Sequence, residues 1–214
     1  MKSLKNYIFE AIKALPDNKK GIIVFDIDDT LLRVDKNKFK IYKTMPDGSI
    51  AKLTTDEYAK DPDAGDPSKK HLFDLKDFKD PIKVYTSIIK GKPIIKNLKI
   101  LDAYINAGYD FSFLTARDAE FMVKKAIEEF IEVRRDGKLT KLGNEFKKCL
   151  SAAVNDSYSY SKYPGKTDPE KKANVLKQIC RFYNKVVYVD DDEKNLKAAR
   201  DLNIDKLTVI KAWE

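Results

Sequence analysis

Short runs of apolar residues recur along the chain and predict the strands of a buried sheet. Residues 21–26 read Gly-Ile-Ile-Val-Phe-Asp, with no polar side chain before the aspartate. Unbroken apolar runs are typical of parallel strands covered on both faces, whereas half-exposed strands alternate apolar and polar residues. The same pattern predicts strands over 109–114, 185–190 and 206–210, and a weaker strand over 149–154.

Segments with helical spacing lie between these runs. Apolar residues recur every three or four positions in the predicted helices, which span 4–15, 93–106, 118–133, 171–183 and 193–202. Alternating strands and helices predict an α/β fold, because successive parallel strands need a crossover connection that is usually a helix. We therefore expect a Rossmann-like, doubly wound parallel sheet with helices on both faces.

Residues 33–92 interrupt this alternation and predict an insertion after the first strand. A Pro-Asp-Gly turn at 46–48 follows a β-like segment over 34–45, which indicates a hairpin. Thr54, with a glutamate three positions later, has the spacing of a capping box that starts a helix. We interpret 1–214 as a single domain that carries 33–92 as a small flap or cap.

Polar residues that can carry chemistry collect beside the ends of the predicted strands. Ligands of open α/β sheets bind in the crevice at the carboxyl ends of the strands, so residues placed there converge. The candidate site residues are Asp26, Asp28, Thr30, Thr115, Arg117, Lys172, Asp190 and Asp191. Lys166 and Lys171 are alternatives for the lysine. Arg117 has two interpretations: contact with a substrate phosphate, or an ion pair with the nearby Asp118 or Glu120.

This combination of residue types suits chemistry on a phosphate group. Several carboxylates at one place repel one another unless a cation joins them, and a ligand set made only of oxygen suits Mg²⁺. A threonine hydroxyl can bind a phosphoryl oxygen, and a lysine can neutralise its charge. One aspartate can attack phosphorus while a second protonates the leaving oxygen. The plainer alternative is that each acid caps a helix or lies in a solvated loop.

Four motifs, in this order, resemble those of the haloacid dehalogenase-like phosphohydrolases. They are Asp-Ile-Asp-Asp-Thr at 26–30, Phe-Leu-Thr at 113–115, the lysine at 172 that opens a predicted helix, and Val-Asp-Asp at 189–191. The resemblance covers about residues 20–210, and the insertion is unmatched in detail. It implies a Rossmann-like fold and a phosphatase that depends on Mg²⁺.

The resemblance implies catalytic roles for four residues. Asp26 is the expected nucleophile, which forms an aspartyl-phosphate, and Asp28 is the expected general acid and base. Thr115 is expected to bind the phosphoryl group, and Lys172 to stabilise its charge. The expected reaction is therefore hydrolysis of a phosphomonoester.

The same resemblance implies the metal and substrate ligands. The expected Mg²⁺ ligands are Asp26, the main-chain carbonyl of Asp28, Asp190 and Asp191, with Asp191 the main acidic ligand of the last motif. The expected substrate-binding residues are Thr30, which also supports the first loop, Thr115, Arg117 and Lys172.

Charge widens the range of expected substrates. The formal net charge is +8, which fits either a highly charged soluble surface or a phosphate-rich partner. Lys36, Lys38 and Lys40 alternate in the segment predicted as a strand and would share one of its faces. The small flap and the Leu-Thr-Ala-Arg loop also resemble those of nucleotide and polynucleotide-end phosphatases. We expect a phosphorylated small molecule or nucleotide as substrate, with nucleic acid as an alternative.

The chain lacks the sequence signals of export and membrane insertion. Its longest apolar runs have four residues, whereas a membrane span needs about 20. Charged residues interrupt the place of a secretory signal, and Cys149 and Cys180 do not form a C-x-x-C pair. We therefore expect a cytoplasmic protein that does not associate with membranes; the sequence leaves its oligomeric state open.

Three other interpretations compete with a phosphatase. Response-regulator receivers also place aspartates, a threonine and a lysine around Mg²⁺, but their acidic pair precedes a lone aspartate in mid-chain. Here one acidic motif precedes the threonine and lysine and another follows them, which favours the hydrolase. A binding protein that has lost turnover and a phosphotransferase remain as alternatives within the same fold.

Overall fold

A computed structural model gives the architecture of most of the chain. It describes residues 21–35, 38–64, 66–115, 117, 120–134, 165 and 167–213. The helix predicted over 4–15 and the weak strand predicted over 149–154 lie outside these residues, as do Lys36, Cys149 and Lys166.

The strands fall into one large sheet and two small ones. In chain order they are β1 Gly21–Phe25, β2 Leu32–Arg33, β3 Ile41–Thr44, β4 Ile50–Leu53, β5 Phe73–Asp74, β6 Lys92–Pro93, β7 Asp110–Phe113, β8 Lys185–Asp190 and β9 Leu207–Lys211. The large sheet has the order β7-β1-β8-β9, and its neighbouring strands are all parallel. All four of its strands match apolar runs of the sequence.

Helices connect these strands and cover the large sheet. They are α1 Thr55–Lys60, α2 Lys76–Lys79, α3 Pro81–Ile89, α4 Ile95–Asn106, α5 Glu120–Arg134, α6 Asp168–Phe182 and α7 Glu193–Arg200, with a 3₁₀ helix at Pro67–Leu72. None of the helices that the structure describes is long and apolar enough to cross a lipid bilayer.

The side chains of β1 alternate between two apolar cores, one on each face of the sheet. Ile23 and Phe25 pack with α3, α4 and α5, whereas Ile22 and Val24 pack with α6 and α7. Burial on both faces explains why this strand is apolar at successive positions. The predicted α/β fold with a parallel sheet is confirmed, and its layers are compatible with a Rossmann-like arrangement.

The chain leaves β1 through a tight loop before it enters the inserted segment. Asp29 has a φ of 54°, in the left-handed region that aspartate tolerates better than most residues, and its N–H donates to the Leu32 carbonyl at 2.9 Å. β2 then pairs antiparallel with β6, which places Arg33 opposite Lys92. The segment between them therefore begins and ends at neighbouring positions.

A three-stranded antiparallel sheet forms the body of this segment. β3 lies between β4 and β5, and the turn that joins β3 to β4 places Gly48 at a φ of 81°. Thr54 and Glu57 form the reciprocal hydrogen bonds of the predicted capping box at the start of α1. The hairpin and the short capped helix are thus present where the sequence indicated them.

The strand predicted over 34–45 is wrong in its extent, because β3 begins only at Ile41. Lys38 has 3₁₀-helical backbone, and the N–H of Lys40 donates to the Asp77 carboxylate at 3.0 Å instead of to a neighbouring strand. The expected strand face with alternating lysines is therefore not formed by these two residues.

Lys43 lies within β3 and is buried between two carboxylates. Its Nζ donates to Asp61 and to Asp63, with distances of 2.8 Å to both. The Lys43 ammonium holds the pKa of both carboxyl groups below their usual range. These contacts tie β3 to the loop after α1, and so stabilise the inserted segment around pH 7.

Lys43→Met is expected to destabilise the protein at pH 7, and the difference from wild type is expected to shrink in acid. Asp61 and Asp63 have lowered pKa values, so their contribution is present above the unfolded-state value of about 3.9 and is lost as the pH falls further. Urea unfolding of both proteins at pH 7 and pH 3 measures this difference. The exposed Lys52 of β4 gives the control variant Lys52→Met, and an equal loss at both pH values would contradict the ion-pair explanation.

Candidate functional site

The candidate site lies at the carboxyl ends of β1, β7 and β8. Asp26 directly follows β1, and its N–H donates to the Val189 carbonyl of β8 at 2.9 Å. On the other side, the N–H of Leu114, just after β7, donates to the Phe25 carbonyl at 2.8 Å. The polar residues that follow each strand are therefore brought to the same edge of the sheet, as the sequence predicted.

Lys172 joins two of the carboxylates at this edge. Its Nζ donates to Asp26 Oδ1 and to Asp190 Oδ2, each at 2.8 Å, and all three side chains are buried. Of the two candidate lysines that the structure describes, Lys172 is therefore the one that contacts Asp26. Lys171 instead faces Asp168 at 3.8 Å, with a side chain that is 23% exposed.

The helix that carries Lys172 starts earlier than the sequence predicted. The expected start was residue 171, but α6 begins at Asp168, because Thr167 and Glu170 form a capping box there. Lys172 is therefore inside α6 and does not open it. From this position its side chain reaches the sheet on the face that α6 covers.

Asp190 is fully buried, and both of its oxygens accept hydrogen bonds. Tyr188 and Lys172 donate to Oδ2, the N–H of Asp192 donates to Oδ1 at 2.8 Å, and the Asn195 amide donates to both oxygens. A carboxylate so fully engaged is held in one orientation. Asp190 therefore holds the Lys172 side chain at the site, in addition to offering an oxygen atom to a metal ion.

Tyr188 is a site residue that the sequence reasoning missed. Its hydroxyl donates to Asp190, and burial raises the pKa of Tyr188 well above its usual value, so it remains a donor. A signal was present in the sequence. Residues two positions apart on a strand share a face, so a tyrosine two positions before Asp190 points the same way.

Asp191 completes a group of three carboxylates. One oxygen from each of Asp26, Asp190 and Asp191 lies within 4.8 Å of the others, a spacing at which they could hold a metal ion. Asp191 is half-buried, and its Oδ1 accepts a hydrogen bond from Thr30 at 2.9 Å. Thr30 thus supports the ligand group directly, in addition to its expected role in the first loop.

The electrostatics of this group indicate a deficit of positive charge. Burial raises the pKa of Asp26 well above its usual range; the charges of Asp190 and Asp28 add to the increase, and Lys172 only partly opposes it. Burial also raises the pKa of Asp191. Burial alone would lower the pKa of Lys172, but Asp26 and Asp190 outweigh it and raise that pKa. Lys172 contacts two of the three carboxylates, and a divalent cation would offset the remaining negative charge.

Arg117 pairs with Asp28, a partner that the sequence analysis did not consider; the alternative partner Asp118 lies outside the described residues. Its Nε and Nη2 donate to the two carboxylate oxygens of Asp28 at 2.9 and 2.6 Å, and its Nη1 donates to Ser87 at 2.8 Å. Such a bidentate pair fixes both side chains. The Asp28 carboxylate is thus bound to Arg117 and is not part of the group of three.

Thr115 is buried at the end of β7, next to Arg117. Its Oγ1 accepts the N–H of Arg117 at 3.4 Å, so the loop after β7 turns around the threonine. The candidate site residues therefore all lie at or beside one edge of the sheet; they are Asp26, Asp28, Thr30, Thr115, Arg117, Lys172, Asp190 and Asp191.

No family model, characterised protein or solved structure matches this chain. The geometry of the site is therefore the basis of the functional interpretation.

Proposed function

We propose that this protein is a phosphomonoesterase of the haloacid dehalogenase-like type, which uses Asp26 as its nucleophile and requires Mg²⁺. The observation that carries the proposal is the group of Asp26, Asp190 and Asp191, of which the first two are buried and joined by Lys172. Helix caps and solvated acids do not bury two carboxylates against one lysine with a third beside them, because burial of charge is costly.

The donor set fits Mg²⁺ by its chemistry. It consists of carboxylate oxygens, with Asp26 and Asp191 as the residues that would hold the ion and Asp190 beside them. When bound, Mg²⁺ would neutralise charge on the phosphoryl oxygens and on the carboxylates. Lys172 supplies the remaining positive charge on the face covered by α6.

In the proposed reaction, a carboxylate oxygen of Asp26 attacks phosphorus and forms the acyl-phosphate bond. The bond from phosphorus to the ester oxygen breaks, and the leaving oxygen takes a proton from Asp28. Water then attacks phosphorus and gives a proton to Asp28, which releases inorganic phosphate and restores the Asp26 carboxylate. The Thr115 hydroxyl donates a hydrogen bond to a phosphoryl oxygen during both steps.

In the proposed reaction, Arg117 also controls the access of Asp28 to the substrate. While both Asp28 oxygens accept hydrogen bonds from Arg117, the Asp28 carboxyl group is not free to contact a leaving oxygen. A phosphoryl dianion is a competing partner for Arg117. Substrate binding would therefore draw Arg117 away from Asp28 and free that carboxyl group to contact the leaving oxygen.

Hydrolysis of an aryl phosphate is expected to require added Mg²⁺ and to stop when a chelator is present. Asp191→Ala is expected to raise the Mg²⁺ concentration for half-maximal activity by about 10- to 100-fold, because it removes an anionic oxygen ligand from a small ion with strict geometry. Titrating activity with Mg²⁺ for wild type and variant measures this change.

The matched control is Asp201→Asn, at the exposed end of α7, which should leave the Mg²⁺ titration unchanged. Activity that persists in chelator would overturn the metal-dependent proposal. A folded wild-type protein without activity on any phosphate ester would instead support a binding protein that has lost turnover.

A further inference from the structure

A cavity of about 280 Å³ lies between the inserted segment and the main domain, beside the candidate site. The inserted segment contributes Phe39, Thr55 and Phe78 to its wall, whereas Asp28 and Arg117 close it on the side of the main sheet. The volume is just below the range of about 300–1,000 Å³ for small-molecule sites, so it suits one compact group.

The Asp28–Arg117 pair connects this cavity to the phosphate chemistry. Asp28 is the residue from which the leaving oxygen takes its proton in the proposed reaction. A group that fills the cavity therefore contacts the residue that protonates the leaving oxygen in that reaction. The cavity is placed to hold the body of that alcohol while the phosphoryl group lies over Asp26.

The wall of the cavity is apolar and aromatic. Phe39 and Phe78 lie with their ring centroids 4.9 Å apart and their planes tilted by 30°, and Val34 and Val84 complete the apolar lining. The Arg117 guanidinium covers the Phe39 ring at 5.4 Å. Such a surface binds flat apolar groups, because it gains little from sugars or polyols that carry many hydroxyls.

One polar atom in the wall lacks a partner. The Oγ1 atom of Thr55 is buried and makes no hydrogen bond with the described residues, although Thr55 lines the cavity. Buried hydroxyls nearly always have a partner, so this atom points to a polar group on the ligand. Asp56 is also in the lining, which disfavours a ligand with a second anionic group.

We propose that this cavity binds the leaving group of the substrate, and that this group is an uncharged aromatic ring system with one hydrogen-bond acceptor for Thr55. The inference rests on the proposed phosphatase activity, since it assigns the alcohol that this activity releases. Polyol phosphates and sugar bisphosphates are poor substrates on this assignment.

The test compares phosphate esters of primary alcohols, so that the leaving groups differ in shape more than in reactivity. Wild-type protein with Mg²⁺ is expected to hydrolyse 2-naphthylmethyl phosphate and benzyl phosphate with a kcat/KM at least about tenfold above that for glycerol 1-phosphate. Equal values for all three esters would overturn the proposed leaving-group site.

Phe78→Ala is expected to lower kcat/KM for the two aromatic esters by about tenfold and to leave glycerol 1-phosphate within about twofold. The matched control is Ile82→Ala, since Ile82 is 72% exposed on the neighbouring helix α3 and should affect none of the esters. A loss of equal size on every ester would indicate damage to the fold or to the catalytic residues, and would contradict the role of Phe78 in leaving-group binding.

The three pyridylmethyl phosphates test Thr55, because each adds one ring acceptor to benzyl phosphate. At least one isomer is expected to exceed benzyl phosphate by about two- to tenfold, and Thr55→Val is expected to remove that advantage. An advantage that survives Thr55→Val, or the absence of any advantage in wild type, would overturn the hydrogen bond to Thr55.

A binding measurement separates this inference from the proposed activity. Saturation-transfer NMR with 2-naphthylmethanol is expected to show binding to wild-type protein and its loss in Phe78→Ala, whether or not the protein turns over any phosphate. Binding without hydrolysis would leave the cavity assigned and refute the phosphatase. Hydrolysis without binding or aromatic preference would refute the cavity assignment alone.

Discussion

Asp26→Asn is expected to lower kcat for phosphate-ester hydrolysis by about 10⁴- to 10⁶-fold while the protein stays folded. An amide is a poor nucleophile toward phosphorus and a weaker Mg²⁺ ligand than a carboxylate. Loss of a covalent nucleophile in other hydrolases has effects of this size. Steady-state kinetics at saturating Mg²⁺, with circular dichroism to check the fold, measure both parts of the expectation.

The fold is expected to survive Asp26→Asn because the asparagine amide has the same shape as the carboxylate it replaces, and Lys172 would keep its bond to Asp190. The control is Asp192→Asn, in the same acidic cluster. The Asp192 side chain caps α7 by accepting the Lys194 N–H, and asparagine caps a helix equally well. Near-normal activity in purified Asp26→Asn protein would show that Asp26 is not the nucleophile.

The main sheet could be predicted from sequence because burial on both faces leaves a simple signature. The strand expected over 185–190 has the same bounds as β8, and those expected near 21–26 and 109–114 differ from β1 and β7 only at their ends. The location of the candidate site could then be predicted from the sheet, since the carboxyl ends of parallel strands meet at one edge. Asp26 and Asp190 therefore could be placed together without knowledge of their side-chain contacts.

Contacts that join distant segments could not be predicted in the same way. The sequence offered Arg117 acidic neighbours in its own loop, yet its partner is Asp28, 89 positions away. The position of Ser87 behind Arg117 likewise depends on how α3 packs. Local periodicity also overstated the strand over 34–45, because a carboxylate from Asp77 takes the N–H of Lys40 just before β3 begins. Each of these is a tertiary contact with no local signal.

The second large effect expected is on stability, for Lys172→Met. Lys172 is only 4% exposed and is the cation that contacts both Asp26 and Asp190. Methionine fills a similar volume but leaves these two buried carboxylates without their lysine. Removal of one partner from a buried ion pair costs about 3–5 kcal/mol, so the free energy of unfolding is expected to fall by about that amount.

Urea unfolding at pH 7 without Mg²⁺ measures this change, and Lys171→Met is the matched control on the same helix. Lys171 is the neighbouring lysine, whose 3.8 Å contact is with the exposed Asp168, so its replacement is expected to cost less than about 1 kcal/mol. Equal stability changes for the two variants would contradict the placement of Lys172 between the carboxylates.

The pH dependence of Lys172→Met tests the electrostatic cause. Burial raises the pKa of Asp26 above its unfolded value, so folded protein binds this proton more readily than unfolded protein does. The free-energy cost of burying the Asp26 side chain therefore increases as the pH rises from about 3.9 towards the raised pKa of Asp26 in the folded protein. Lys172 opposes that shift in wild type, and its removal enlarges it. The stability gap between wild type and Lys172→Met is thus expected to narrow as the pH falls from 7 towards about 3.9, whereas a gap that stays constant over this range would indicate lost packing as the cause.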